Sequence, residues 1–148
     1  MSQASPDPRS RDGGKLDARG IAHRREVLRI VEKSGRGHVG SALSAMEIVR
    51  VMYDSILRVD PKNPHWPDRD RFVFSKSHGC LALYIMLAEK GFFPPEELDR
   101  VGRFETMLGG LPDSRKIPGV EASTGSLGHG LSIGVGFALA ARMDGKKY

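Results

Sequence analysis

A single cysteine, Cys80, carries all the thiol chemistry of the chain, which excludes an intramolecular disulfide and a thiolate zinc cluster. Its setting, Cys80-Leu-Ala-Leu-Tyr84, suits a small buried hydrophobe, and a reducing, cytoplasmic home is the default expectation. Long apolar runs are missing as well. None approaches the ~20 residues a membrane span requires, and the N-terminus lacks a charged-then-apolar leader pattern. Aromatic residues make up only 7%, with one tryptophan, and they are not interleaved with the basic residues. The formal charge of +5 is spread among acids, as in Arg24-Arg25-Glu26 and Glu89-Lys90, so no stripe marks a nucleic-acid surface. An anionic small-molecule substrate is compatible with that excess. Neither Cys/His pairs nor the Asp/Asn-rich loop of a hard-cation site occurs.

What is present has the balance of a soluble protein, 39% hydrophobic and 28% charged over 148 residues, which suits one domain. Residues 1–15 show no hydrophobic period and read as a disordered tail, leaving 16–148 as the folded part. Leu16 to Ser34 has helical spacing, with Ile21, Leu28 and Val31 on one stripe and Gly35 and Gly37 as the stop. Ser44 and Glu47 have the spacing of a capping box opening a helix through Ile48, Val49, Met52, Tyr53, Ile56 and Leu57. Three prolines make Asp60 to Asp70 a loop, and Arg71-Phe-Val-Phe-Ser75 is the best strand candidate.

His78 to Lys90 predicts a strongly apolar helix ended by Gly91, with a shorter one starting at Glu96 behind Pro94-Pro95. Gly102 to Val120 has no sustained period. Leu127 to Met143 predicts a helix whose glycines and alanines let a neighbour come close, deep in an interface or beneath a ligand. One lone strand cannot satisfy its own backbone, so the inventory favours a sheet left incomplete in this chain over an all-helical fold.

Three segments stand out chemically. In Gly125-Ser-Leu-Gly128-His-Gly130 the glycines precede a helix, a pattern that serves either a phosphate cradle or tight packing. His38, in Gly35-Arg-Gly-His-Val-Gly40, is either a ligand contact or a solvated residue in a helix-ending turn. His78, in Ser75-Lys-Ser-His-Gly79, follows the strand candidate, where α/β sheets open their ligand crevice, or else it caps the next helix. His65, between prolines and beside Trp66, reads as surface packing, and His23, among arginines, as solvated.

Taken with Arg25-Glu26, Gly37 to Ser44, Asp60-Pro61-Lys-Asn-Pro, Asp68 to Ser75 and Pro118 to Gly130, these segments resemble the transketolase family. The likeness is to the N-terminal part of its thiamine-diphosphate-binding domain, closest to the N-terminal subunit of split transketolases. It implies an α/β thiamine-diphosphate-binding fold, mostly helical here, with its parallel sheet incomplete. It also implies transfer of a two-carbon ketol unit between sugar phosphates. His38 matches a histidine that contacts the donor's hydroxyl, and His78 one beside the cofactor and the donor carbon. Gly125, Ser126 and Leu127 match the loop lying along the cofactor.

The resemblance has departures. Leu111, in Gly109-Gly-Leu-Pro-Asp113, stands where the family usually has a donor-contacting histidine, and Ser77 stands where glycine is common. The family's Gly-Asp-Gly metal segment and its catalytic glutamate do not occur in this sequence. Magnesium ligands are therefore expected outside this chain, together with a C-terminal subunit or further segments and an oligomeric assembly. Two alternatives stand beside this reading: a fragment of an enzyme like deoxyxylulose-phosphate synthase, and a truncated interaction module without catalysis.

Overall fold

In the computed structural model, residues 16–147 are described, so the tail expected at 1–15 lies outside the described residues. Helix α1, Ala18–Ser34, begins behind Asp17, whose carboxylate accepts the Gly20 N–H at 2.7 Å. It ends where Gly35 turns left-handed and its N–H bonds Val31 O. The buried stripe is Gly20, His23, Val27 and Ile30. Val31 is partly buried, but Ile21 and Leu28 face outwards, 40% and 52% exposed.

The stripe is rotated because His23 goes in, which corrects the expectation of a solvated ring. Its Nε2 lies 2.5 Å from Glu89 Oε2. Arg19 bonds both Glu89, at 2.6 Å, and Asp54, and Lys90 reaches Asp54 at 2.7 Å. A polar partner at the edge of the core lets an imidazole occupy a position that periodicity assigns to a neighbour.

Two short helices follow, α2 (Val39–Leu43) and α3 (Met46–Val51), the latter running into a π-helical turn at Met52–Ile56. The capping box does not form. Ser44 instead closes α2, its Oγ donating to Ser41 O at 3.2 Å, and α3 starts behind Ala45. Glu47 is drawn to Arg24 of α1 at 2.5 Å. Val49 and Tyr53 are buried, whereas Ile48 and Ile56 are exposed.

No strand occurs among the described residues. Arg71–Ser75, the strand candidate, has no neighbouring strand to pair with, and a side chain takes up part of its backbone: Thr124 Oγ1 donates to Phe74 O at 2.8 Å.

A 3-10 turn at Ser77–Gly79 feeds α4, Cys80–Glu89, in which every residue from Cys80 to Ala88 is buried. A helix apolar on all sides belongs at the centre, and α1, α2, α3 and the 3-10 segment Pro95–Arg100 pack around it. The irregular stretch from Gly102 to Val120 lies against α4 through Tyr84 Oη to Gly109 O, 3.1 Å, and Cys80 Sγ to Gly110 O, 3.3 Å. Burial raises the Cys80 thiol to about 11, so it is the inert hydrophobe its sequence context predicts. The last helix, α5 (His129–Met143), buries only Gly130 and Ala141, and its Leu131–Val135–Leu139–Met143 edge is exposed. An open groove of about 480 Å³ separates α5 from residues 71–75.

Candidate active site

The turn after α1 and the turn before α4 converge. Gly79 approaches α2 so closely that a Cβ on it would lie 2.8 Å from Ser41 O, and no larger residue fits without displacing backbone. That approach sets the His38 ring against the His78 ring, edge to face, with centroids 4.9 Å apart. His38 is exposed at the start of α2. His78 is half-buried, and its Nδ1 is shielded from solvent with no hydrogen-bond partner among the described residues. Both rings line a cavity of about 50 Å³ with Gly109 and Gly110, room for a hydroxyl or a water or two.

The glycine-rich loop lies beside the same turn. Ser77, fully buried, donates its hydroxyl to Gly125 O at 3.0 Å, and the Gly130 N–H donates to Ser75 Oγ at 3.1 Å. The serine in a position where the resemblance has glycine thus tethers the loop. Leu111 packs on it too, its Cδ1 3.3 Å from where a Cβ on Gly125 would stand. Leu127 and Gly128 line an open cavity of about 280 Å³ with Ser75 and Lys76.

The amides of this loop divide into two sets. Those of His129, Gly130 and Leu131, at the start of α5, are occupied by Ser126 O, Ser75 Oγ and Gly128 O. Those of Gly125, Ser126 and Leu127 donate to nothing among the described residues. The three loop residues that the sequence singles out, together with Gly128, whose amide makes no bond among the described residues either, thus offer donors that can receive an oxyanion. The buried Nδ1 of His78 is likewise a polar atom awaiting a partner. Both observations fit a polar, phosphate-bearing ligand laid along the loop.

Residues that sequence reasoning left unassigned hold the loop in place. Glu121 takes Arg69 through both carboxylate oxygens, at 2.6 and 2.9 Å, with Arg71 at 3.4 Å. No local signal marks this cluster: Arg69 sits in a bend, and the acid it shares with Arg71 lies some 50 residues further along the chain. Ser123 donates to Asp113 at 3.1 Å, and Arg115 holds the Asp113 carboxyl well below the usual carboxylate range. A separate cavity of about 280 Å³ contains His65 and none of the other candidate residues. Its Arg69 and Arg115 are already engaged with Glu121 and Asp113, which leaves the histidine pair as the better-equipped site. Among the described residues no three His, Cys, Asp or Glu side chains group as metal ligands.

Comparison with known proteins identifies the family. The family model for the transketolase thiamine diphosphate binding domain matches residues 19–148. The 6-deoxy-6-sulfo-D-fructose transketolase subunit SqwG of a Clostridium strain is 49% identical over 82% of this chain and 44% of its own length. One of the apulose-4-phosphate transketolase subunits of Phocaeicola vulgatus is 44% identical over 90% of this chain and 47% of its own. The chain thus spans less than half the length of these curated relatives. Among solved structures, transketolase from Leishmania mexicana superposes with a TM-score of 0.76 at 32% identity, covering 82% of this chain and 18% of that one. The Campylobacter jejuni transketolase gives 0.74 at 34% identity, covering 82% and 19%. The chain belongs to the transketolase family, as an N-terminal part of its thiamine diphosphate binding domain.

Proposed function

We propose that the chain is the N-terminal segment of a transketolase that uses thiamine diphosphate to move a two-carbon ketol unit between sugar phosphates. The observation that carries this reading is the His38–His78 pair next to Ser77, whose hydroxyl holds a loop with Gly125, Ser126 and Leu127 amides that make no bond among the described residues. When bound, thiamine diphosphate supplies the carbanion chemistry. The chain's own residues bind and orient. The loop amides would donate to the cofactor, the His78 imidazole would contact cofactor and donor, and exposed His38 would hydrogen-bond the donor hydroxyl.

The same reading assigns the magnesium ligands, the glutamate that activates the cofactor and the remaining sheet to other segments or to a C-terminal subunit. Residues 71–75 then form the sheet's first strand in an α/β fold, and 16–148 one portion of the domain. The names of the two relatives, each a subunit, support a partner chain. Sugar phosphates as substrates, an oligomeric assembly and a cytoplasmic location belong to the proposal too. No helix among the described residues is long and apolar enough to cross a membrane.

The test is ketol transfer by the chain assembled with the missing segments, in a coupled sugar-phosphate assay. His38→Ala and His78→Ala should each lower turnover at least about tenfold, and His65→Ala should not. Equal activity of all three variants would overturn the assignment.

A further inference from the structure

Residues 69–77 and 121–130 are joined at four points along their length. Glu121 is clamped by Arg69 and Arg71, Phe74 O accepts from Thr124, Gly125 O accepts from Ser77, and Ser75 Oγ accepts from Gly130. Three of these links are single neutral hydrogen bonds. The first is different: the Glu121 side chain is only 8% exposed, with Arg69 and Arg71 at 14% and 15%.

Burying such a cluster is a poor way to gain stability, because desolvation of the ions offsets most of their attraction. What a two-pronged guanidinium–carboxylate contact does supply is fixed relative orientation. Arg69 and Arg71 are themselves anchored, donating to Trp66 O at 2.8 Å and Pro67 O at 3.0 Å. The clamp thus ties the start of the glycine-rich segment to the start of the segment that carries His78. Between Glu121 and α5 the loop needs such an external hold. It contains Gly125 and Gly128, and its 125–127 amides make no internal bonds among the described residues.

We propose that Glu121 is a positioning residue. Its carboxylate sets the Gly125–Leu127 amides in register with His78, acting through the loop without touching substrate. The proposal rests on reading Gly125–Leu127 as the cofactor loop, so its test has one arm that needs no cofactor.

In the first arm, amide NMR spectra of the chain are compared with those of Glu121→Gln. The resonances of 124–130 and 75–78 should shift and broaden, while exchange protection of α4 stays as it was. Changes confined to residues adjoining Glu121, or a matching loss of protection in α4, would overturn the proposal. In the second arm, the assembled enzyme carrying Glu121→Gln should need at least tenfold more thiamine diphosphate for half-saturation, with kcat recovered at saturation. A lowered kcat with unchanged half-saturation would overturn it.

Arg69→Gln should reproduce most of the effect, and the double variant should be no worse than Glu121→Gln alone, since the two-pronged Arg69–Glu121 contact is lost in both. Additive losses would overturn the clamp. If Glu121→Gln does not fold, Arg69→Lys carries the same measurements, keeping the charge and losing the fork. If the first arm succeeds while the unmodified assembly binds no thiamine diphosphate, the cofactor reading fails and the clamp stands.

Discussion

The imidazoles of His38 and His78 meet edge to face at 4.9 Å, one from the turn that leaves α1 and the other from the turn that enters α4. Neither turn is long enough to do this alone. The contact depends on α2 lying against Gly79, where only a hydrogen fits between the glycine Cα and Ser41 O. The pair is therefore a product of helix packing around α4, and it places two proton-exchanging groups at one small cavity.

Thiamine diphosphate should bind the isolated chain weakly, because the loop offers amides while the described residues offer no grouped metal ligands. Titration calorimetry with magnesium present should give a Kd above about 1 μM, which corresponds to about −8 kcal/mol. Tighter binding would show that this chain needs no partner to hold the cofactor.

Leu111→His should raise kcat/KM of the assembled enzyme for a phosphorylated ketose donor. Leu111 is exposed beside Gly125, so a ring there reaches the same space and adds a hydrogen-bond donor. A gain of about tenfold equals about 1.4 kcal/mol of transition-state stabilisation. Unchanged activity with fold and cofactor affinity intact would show that the leucine does not impair the site.

Acid should weaken the chain partly through Asp54. Arg19 first, then Lys90, holds its carboxyl well below the ordinary range. A depressed folded pKa means the contribution is complete above the unfolded value of about 3.9 and is lost as pH falls through the lower folded one. Asp54→Asn should thus be less stable than the parent at pH 7, with the gap closing below about pH 4. Urea unfolding at several pH values reads this, and a gap independent of pH would remove Asp54 from the acid response.

Gly130→Ala should be costly and Gly134→Ala should not. A Cβ on Gly130 would lie 2.6 Å from Ser75 Cβ and 2.8 Å from Ser75 Cα, whereas one on Gly134 meets nothing within 4 Å. Forcing the two segments apart should cost about 1–3 kcal/mol, while the alanine at 134 should be neutral or gain up to about 1 kcal/mol. Denaturant unfolding of both variants checks the contrast; equal midpoints would mean that α5 is free to shift.

Much of the architecture is local and could be read along the chain. Apolar spacing and end signals located α1, α4 and α5, and the runs Gly35–Gly37 and Gly125–Gly130 marked the segments beside His38 and His78. The same residues carry the family membership that the comparisons establish. Local rules failed where a residue had two uses. Ser44 can open a helix or close one, and the arrival of Arg24 at Glu47 chose the second. Arg71–Ser75 has strand composition, but a strand is defined by its neighbour.

By itself the sequence determined where α1, α4 and α5 lie, which turns they leave open and which polar groups those turns carry. Each of these follows from backbone sterics and side chains a few residues apart. Only the tertiary structure decided which face of α1 is buried, that His23 finds Glu89, that His38 meets His78, and that Glu121 serves two arginines. Periodicity sets the spacing of a buried face but not its phase. A partner distant in sequence is selected by how whole helices pack, and no local pattern encodes that.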